Sequence, residues 1–389
     1  MNLDTLVEPS ASSGASCGNG TQPAKSAGTA SGGRWLFSAP VDLAAFLGSA
    51  IVSLLLLAMG ARFGWLHAET PEWTWIAGVL LVDVAHVYAT GFRVYFDRAE
   101  FERRFTLYLL VPLLSYVVAV AIYSEGERLF WRVLAYLAVF HFVRQQYGWV
   151  ALYRARLGER DRLGWWIDAS AVYLATIYPL VYWHAHLPRN FWWFLEGDFA
   201  PLPSLVATVV QPLYWIALAA YFARALVRGW VNGLWNPGKD LVVATTAVCW
   251  YLGIIACNSD YAFTVTNVII HGVPYLVLVY WYSTSRGGAV RRYFRGGRVS
   301  RWGRAGLFLL TVWLLAYTEE MLWDRGVWHE RAWLFGSAWG WTEAKVWLIP
   351  LLAVPQVTHY VLDGFIWRRR SNPDVARLAS ASAGAASAG

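Results

Sequence analysis

Four histidines stand singly inside long apolar stretches of the chain: His86, His141, His271 and His359. Each has a polar residue about one helical turn away, on its own face if the segment is helical. Asp83 precedes His86 by three residues in LVDVAHVYAT, and Gln145 follows His141 by four in HFVRQQYGW. Asn267 precedes His271 by four in NVIIHGVPY, and Asp363 follows His359 by four in THYVLDGFIW. A metal-bound imidazole normally donates its other N–H to a carboxylate or carbonyl, which fixes the tautomer and raises basicity. The pattern therefore points to His86, His141, His271 and His359 as metal ligands. Asp83 and Asp363 are expected as ligands or as partners of ligands, and Gln145 and Asn267 as groups that orient imidazoles. Several imidazoles with one or two carboxylates suit non-haem iron, with zinc or copper less favoured. Bis-His haem ligation is a further way to use four histidines.

Other residues cluster around these in sequence. Arg144 falls inside the same segment as His141, where an unpaired guanidinium is expensive and calls for an acid or an anionic ligand. Asp83 and Asp363 are its nearest acids by expected depth, and the alternative is an anchor for a substrate carboxylate or phosphate. Tyr88, Tyr147, Tyr275 and Tyr360 lie near the four histidines, as cavity wall or as proton donors; Tyr275 and Tyr360 are the candidates for lining a bound group. Pro274 and Pro355 each fall near a histidine and can bend a helix beside a site. His184 and His186 point about 200° apart on a helix and read as interface residues. Glu319 and Glu320 are expected within reach of water, and His67 and His329 in loops. Cys17, Cys249 and Cys257 have neither a disulfide framework nor CxxC spacing.

The elements that must position these residues follow from composition. The chain has 389 residues, 57% hydrophobic and only 15% charged, with 25 Trp and 21 Tyr. A soluble domain is nearer half apolar and a quarter charged. Lipid is the expected solvent, with Trp and Tyr at its interfaces. A span needs about 20 largely apolar residues. By that rule the chain is an all-α, polytopic transmembrane bundle with about ten helices. They are expected near residues 41–60, 73–94, 105–123, 130–153, 165–185, 205–228, 240–257, 262–284, 304–323 and 343–367. Segments outside the spans that carry an even number, counting the N-terminus as zero, hold 24 of the 32 basic residues. The positive-inside rule places those segments, and both termini, in the cytoplasm. All four histidines then lie in even-numbered helices that run in the same direction, about 12–20 Å from the cytoplasmic ends. Residues 1–38 and 371–389 are rich in Ser, Ala and Gly and are expected as disordered tails flanking a single domain of residues 39–370. Arg368–Arg370 is expected to anchor the last helix at anionic lipid.

The sequence lacks a Walker loop, GxGxxG and HExxH, as well as the HxxxH and HxxHH boxes of membrane desaturases. The dispersed Arg residues are not a nucleic-acid footprint. One histidine per helix resembles the bacterial Brp/Blh-type carotene-cleaving oxygenases, and the likeness is one of arrangement. It implies iron held by histidines from separate helices. The expectation is an intramembrane metalloenzyme, a non-haem iron oxidoreductase of oxygenase, hydroxylase or desaturase type, working on a lipid-soluble substrate with an unknown redox partner. Asp83, Arg144 and Asp363 are its candidate catalytic residues, and a bacterial inner membrane is its expected location. Its rivals are a proton-coupled transporter or channel built on the same His and Asp residues, a transferase with a His general base, and a bis-His haem protein.

Overall fold

Long apolar runs leave the backbone few partners but itself, and the chain responds with helices. The computed structural model describes residues 33–284, 290, 300–340 and 344–380. Among these there are helices and no strands. Ten long helices account for nearly all of them: α1 (Ala39–Phe63), α2 (Glu72–Arg93), α3 (Phe105–Glu125), α4 (Glu127–Arg156), α5 (Arg162–Ala185), α6 (Ser204–Val231), α7 (Pro237–Ala256), α8 (Asp260–Thr284), α9 (Arg301–Trp328) and α10 (Lys345–Ile366). Polar residues set their starts. Ser38, Asp161, Asn236, Ser259 and Ser300 each accept a backbone N–H in the first turn of the helix that follows. Gly64, with φ of +80°, ends the continuous helix that α1 forms, a backbone state that an L side chain resists.

Eight of these helices are long and apolar enough to cross a membrane, and α4 and α5 are the two that fall outside that set. The sequence expectation of about ten spans is therefore met by eight on composition. The other two have the length but carry more polar matter: α4 includes Arg132, Arg144, Arg154 and Arg156, and α5 includes Asp168 and many aromatics. Large apolar side chains face outward on the apolar helices, among them Leu55, Leu113, Leu114, Leu205 and Ile216, each more than half exposed. A soluble protein would hide such a belt; lipid solvates it.

The four histidine-bearing helices form a ring. α2 packs against α8 and α10, and α4 packs against the same two. Close approach of α2 and α8 depends on small residues. A methyl group on Gly272 would sit 2.6 Å from a Val82 methyl and 3.1 Å from the Val82 carbonyl oxygen. Gly78 faces Thr264 just as tightly across the same contact. Wider π-type turns over Trp75–Val84 and Thr264–Val268 immediately precede the histidine-bearing stretches of both helices, a deviation frequent at functional sites. Gly272→Ala should push α8 away from α2 and lower the melting temperature of the purified protein, the overpacking costing about 1–3 kcal/mol. A thermal-shift comparison with the wild type checks this.

The structure describes local order at the inner ends of the expected tails. Asp42 accepts the backbone N–H groups of Leu36, Phe37 and Ser38, so the segment before α1 is fixed. Beyond α10, Pro373–Leu378 is a short helix capped by Asn372, with Val375 and Leu378 buried in the same apolar cluster as Trp149, Leu152 and Tyr153 of α4, and with the Leu378 carbonyl accepting from Arg156 of α4 at 3.2 Å. Composition misled here because two apolar side chains at helical spacing suffice to dock a single turn. Cys17 lies outside the described residues; Cys249 is packed in the core, and Cys249 and Cys257 are unbridged.

At the expected cytoplasmic end an ion network ties α4, α5, α6 and α7 together. Glu159 meets Arg228 at 2.7 Å and Lys239 at 2.8 Å, while Lys239 also meets Asp168 at 2.9 Å. Arg224 meets Asp161 at 2.7 Å. Burial alone would raise the Glu159 carboxyl, but Lys239, Asn236 and Arg228 outweigh it and hold it below the usual carboxylate range. A carboxyl lowered in the fold lends stability above its unfolded pKa and loses it as pH falls through the folded one. Melting temperature should therefore drop on acidification below about pH 5. Glu159→Gln should lower it at neutral pH and flatten that acid dependence, as a thermal-shift series across pH would read out.

Candidate metal centre

The four histidines meet. His86 on α2, His271 on α8, His141 on α4 and His359 on α10 are each no more than 4% exposed. Their ring centroids form a closed circuit: His86 to His271 4.8 Å, His271 to His141 5.1 Å, His141 to His359 4.5 Å and His359 to His86 4.9 Å. Across it, His86 and His141 are 6.2 Å apart. The Nε2 atoms face inward, at 3.2 Å between His271 and His86 and 3.1 Å between His359 and His141. One ring nitrogen from each of His86, His141 and His359 lies within 4.8 Å of the other two, so these three can hold a metal ion. His271 joins through His86.

These spacings suit an ion. With metal–nitrogen bonds of about 2.0–2.1 Å, two imidazoles on one ion stand about 3.0 Å apart at right angles and about 3.4 Å apart at the tetrahedral angle. Both Nε2 pairs fall between those values.

The outward nitrogens find acids and a hydroxyl. His86 Nδ1 is 3.5 Å from Asp83, and His141 Nδ1 is 3.9 Å from Asp363. His359 Nδ1 lies 2.8 Å from the Thr90 hydroxyl, which lies 2.9 Å from the Tyr275 hydroxyl. Tyr275 donates to Asp363 at 2.7 Å, and Trp367 donates to the same oxygen at 3.1 Å. This chain has a direction. If Tyr275 gives its proton to the carboxylate, its oxygen accepts from Thr90, and Thr90 in turn accepts from His359 Nδ1–H. His359 is thereby held in the tautomer that leaves the Nε2 lone pair free and aimed at the centre.

Beside His141 and Asp363 opens a cavity of about 1000 Å³ between α4, α8, α10 and the C-terminal turn. Its inner wall includes Tyr275 and Tyr360, and Leu278, Phe140, Trp149 and Trp367 supply apolar surface. Tyr360 stacks on His141 at 4.8 Å.

No protein-family model, curated protein or solved structure matches the chain. The site therefore speaks only through its own geometry.

Several expected roles change. Gln145 does not touch the ring of His141; its Nε2 donates to the His271 backbone carbonyl at 2.8 Å. Asn267 turns to Thr266 at 3.1 Å rather than to His271. The His271 ring is oriented instead by stacking on Phe142, with centroids 3.6 Å apart and planes 8° apart. Arg144 pairs with neither Asp83 nor Asp363; it donates to Tyr173, lies over the Tyr147 ring and faces the cavity. Glu319 is buried rather than within reach of water, with one oxygen accepting from Trp323 at 3.1 Å. Tyr88 faces Glu319 and not the imidazoles. His184 and His186 bond separate carbonyls, of Leu180 and Tyr182, and share no ligand position.

Thr90, Phe142 and Trp367 are the residues that sequence reading missed. Thr90 follows His86 by four in AHVYAT, the same one-turn spacing that singled out the acids. Its signal was present but lay in a hydroxyl rather than a charge.

Proposed function

We propose that this chain is an integral membrane metalloenzyme of about ten spans with both termini in the cytoplasm, acting in a bacterial inner membrane. His86, His141 and His359, with His271 beside them, hold a non-haem iron that serves oxidation of a lipid-soluble substrate. The observation that carries this reading is the meeting of four buried imidazoles from four helices, their Nε2 atoms paired at 3.1–3.2 Å and three of the rings within reach of one ion, with Asp83, Thr90 and Asp363 near the Nδ1 atoms of those three. Iron, when bound, supplies the one-electron steps that O₂ chemistry requires.

The protein's own groups do the rest. The ring of helices excludes water from the imidazoles, which strengthens each electrostatic contact there. Asp83 and Asp363 place negative charge outside the ligand set and balance a cation without occupying all of its positions. The Thr90–Tyr275–Asp363 relay keeps His359 in its binding tautomer. The adjoining cavity brings an apolar molecule to the face formed by His141 and Tyr360.

Haem fits less well. Two axial imidazoles would stand about 4 Å apart on opposite faces of a macrocycle. Here the Nε2 atoms of neighbouring rings are 3.1–3.2 Å apart and leave no slot for a porphyrin.

The test is metal content measured together with the visible spectrum of the detergent-purified protein. The expected result is one iron per chain with no Soret band. A Soret band would favour haem. A folded protein that contains no metal would overturn the proposal and leave proton relay or His base chemistry for the same residues.

A further inference from the structure

The cavity beside His141 carries a positive charge that the protein itself does not balance. Arg144 lies one turn, about 4.5 Å along the axis, beyond His141 on α4. It sits within a segment expected inside the membrane, and its contacts are a hydroxyl and an aromatic face. Among the described residues no carboxylate pairs with it. Arg368, Arg369 and Arg370 line the same cavity and likewise have no carboxylate partner there. Arg368 donates to the Gly364 carbonyl at 2.5 Å. The carboxylate that does line the cavity, Asp363, is engaged by Tyr275 and Trp367. Three other arginines of that end behave differently: Arg154, Arg224 and Arg228 are paired with acids.

An unpaired guanidinium at membrane depth costs several kcal/mol unless an anion or water reaches it. A cavity lined by one sign of charge and apolar walls also concentrates ligands of the opposite sign. Resting on the metalloenzyme reading above, we infer that the substrate is an amphiphile with an anionic headgroup, a carboxylate or phosphate, bound by Arg144. The three arginines at the mouth attract it, and its apolar body fills the cavity against the face formed by His141 and Tyr360. About 1000 Å³ is at the upper end of the range for small-molecule sites and accommodates such a chain. A planar guanidinium can grip either anion with two parallel hydrogen bonds.

The probe is cis-parinaric acid, a fluorescent polyene carboxylate, with its methyl ester as the neutral twin. Binding is read by energy transfer from tryptophan, with the full chain in zwitterionic lipid nanodiscs and with metal both present and chelated. The carboxylate should bind at least about tenfold more tightly than the ester. Arg144→Gln should remove that preference while leaving ester binding unchanged, which also reports that the variant is folded. Arg144→Lys should restore part of it, and the triple change of Arg368, Arg369 and Arg370 to Gln should weaken its salt dependence. Displacement by lysophosphatidate or by an anionic phospholipid added to the disc identifies a phosphate headgroup from a free or a bilayer source. Equal binding of acid and ester, or headgroup preference that survives Arg144→Gln, would overturn the inference. Headgroup preference in a protein that never binds iron would instead sink the metal reading alone.

Discussion

Replacement of His86, His141 or His359 by alanine should abolish stoichiometric metal binding, whereas His271→Ala should weaken it without abolishing it. The grading follows from geometry. The first three bring ring nitrogens within 4.8 Å of one another, and each outward nitrogen faces an acid or a hydroxyl. His271 meets the group through His86; neither its Nδ1 nor that of His86 is hydrogen-bonded among the described residues, but His86 Nδ1 has Asp83 at 3.5 Å and His271 Nδ1 has no acid beside it there. The His271 ring stacks on Phe142 and otherwise meets only imidazoles, those of His86 and His141. Removal of one ligand from a set of three or four costs more than loss of a supporting partner, which costs about 10–100-fold. The three variants should therefore purify with little or no iron, and His271→Ala with a reduced but measurable fraction. Metal bound only by the native state stabilises it, so added iron should raise the melting temperature of the wild type and not that of the three variants. Equal metal content in all four variants would mean that the imidazoles do not share an ion.

Thr90→Val should lower metal affinity by about 10–100-fold while the protein stays folded. The substitution keeps the branched shape and removes only the hydroxyl. His359 Nδ1–H then faces a methyl group, and the order imposed from Asp363 through Tyr275 is cut. The ring becomes free to carry its proton on Nε2, where it blocks the metal. Thr90→Ser should retain most of the affinity, because the hydroxyl survives. Competitive chelator titration reads the difference, and unchanged affinity in Thr90→Val would show that the relay does not set the tautomer.

Much of this histidine cluster was legible before the structure. The four histidines, their helices and the nearness of Asp83 to His86 followed from isolated polar residues in apolar runs and from one-turn spacing. What was not legible is what crosses between helices. Gln145 was assigned to His141 because it lies on the same face, yet it reaches the backbone of His271, a contact that spacing within α4 cannot reveal. Arg144 was matched to acids by depth alone. Depth does not fix the rotation of a helix, and rotation turns this side chain toward the cavity. Thr90 went unnoticed because a hydroxyl inside a membrane helix ordinarily bonds its own backbone. The C-terminal helix was hidden by composition, since Ser, Ala and Gly around it mask the few apolar residues that dock it on α4. The ten long helices fell close to the expected ranges because backbone self-satisfaction and apolar length are local properties.

X-ray absorption at the metal edge of the purified, metal-loaded protein tests the shared centre most directly. The account predicts a first shell of nitrogen and oxygen at about 2.0–2.2 Å, with the outer-shell scattering of at least three imidazoles. That scattering should fall in His141→Ala and His359→Ala. A first shell of oxygen without imidazole scattering, or one or two imidazoles in the wild type, would contradict it.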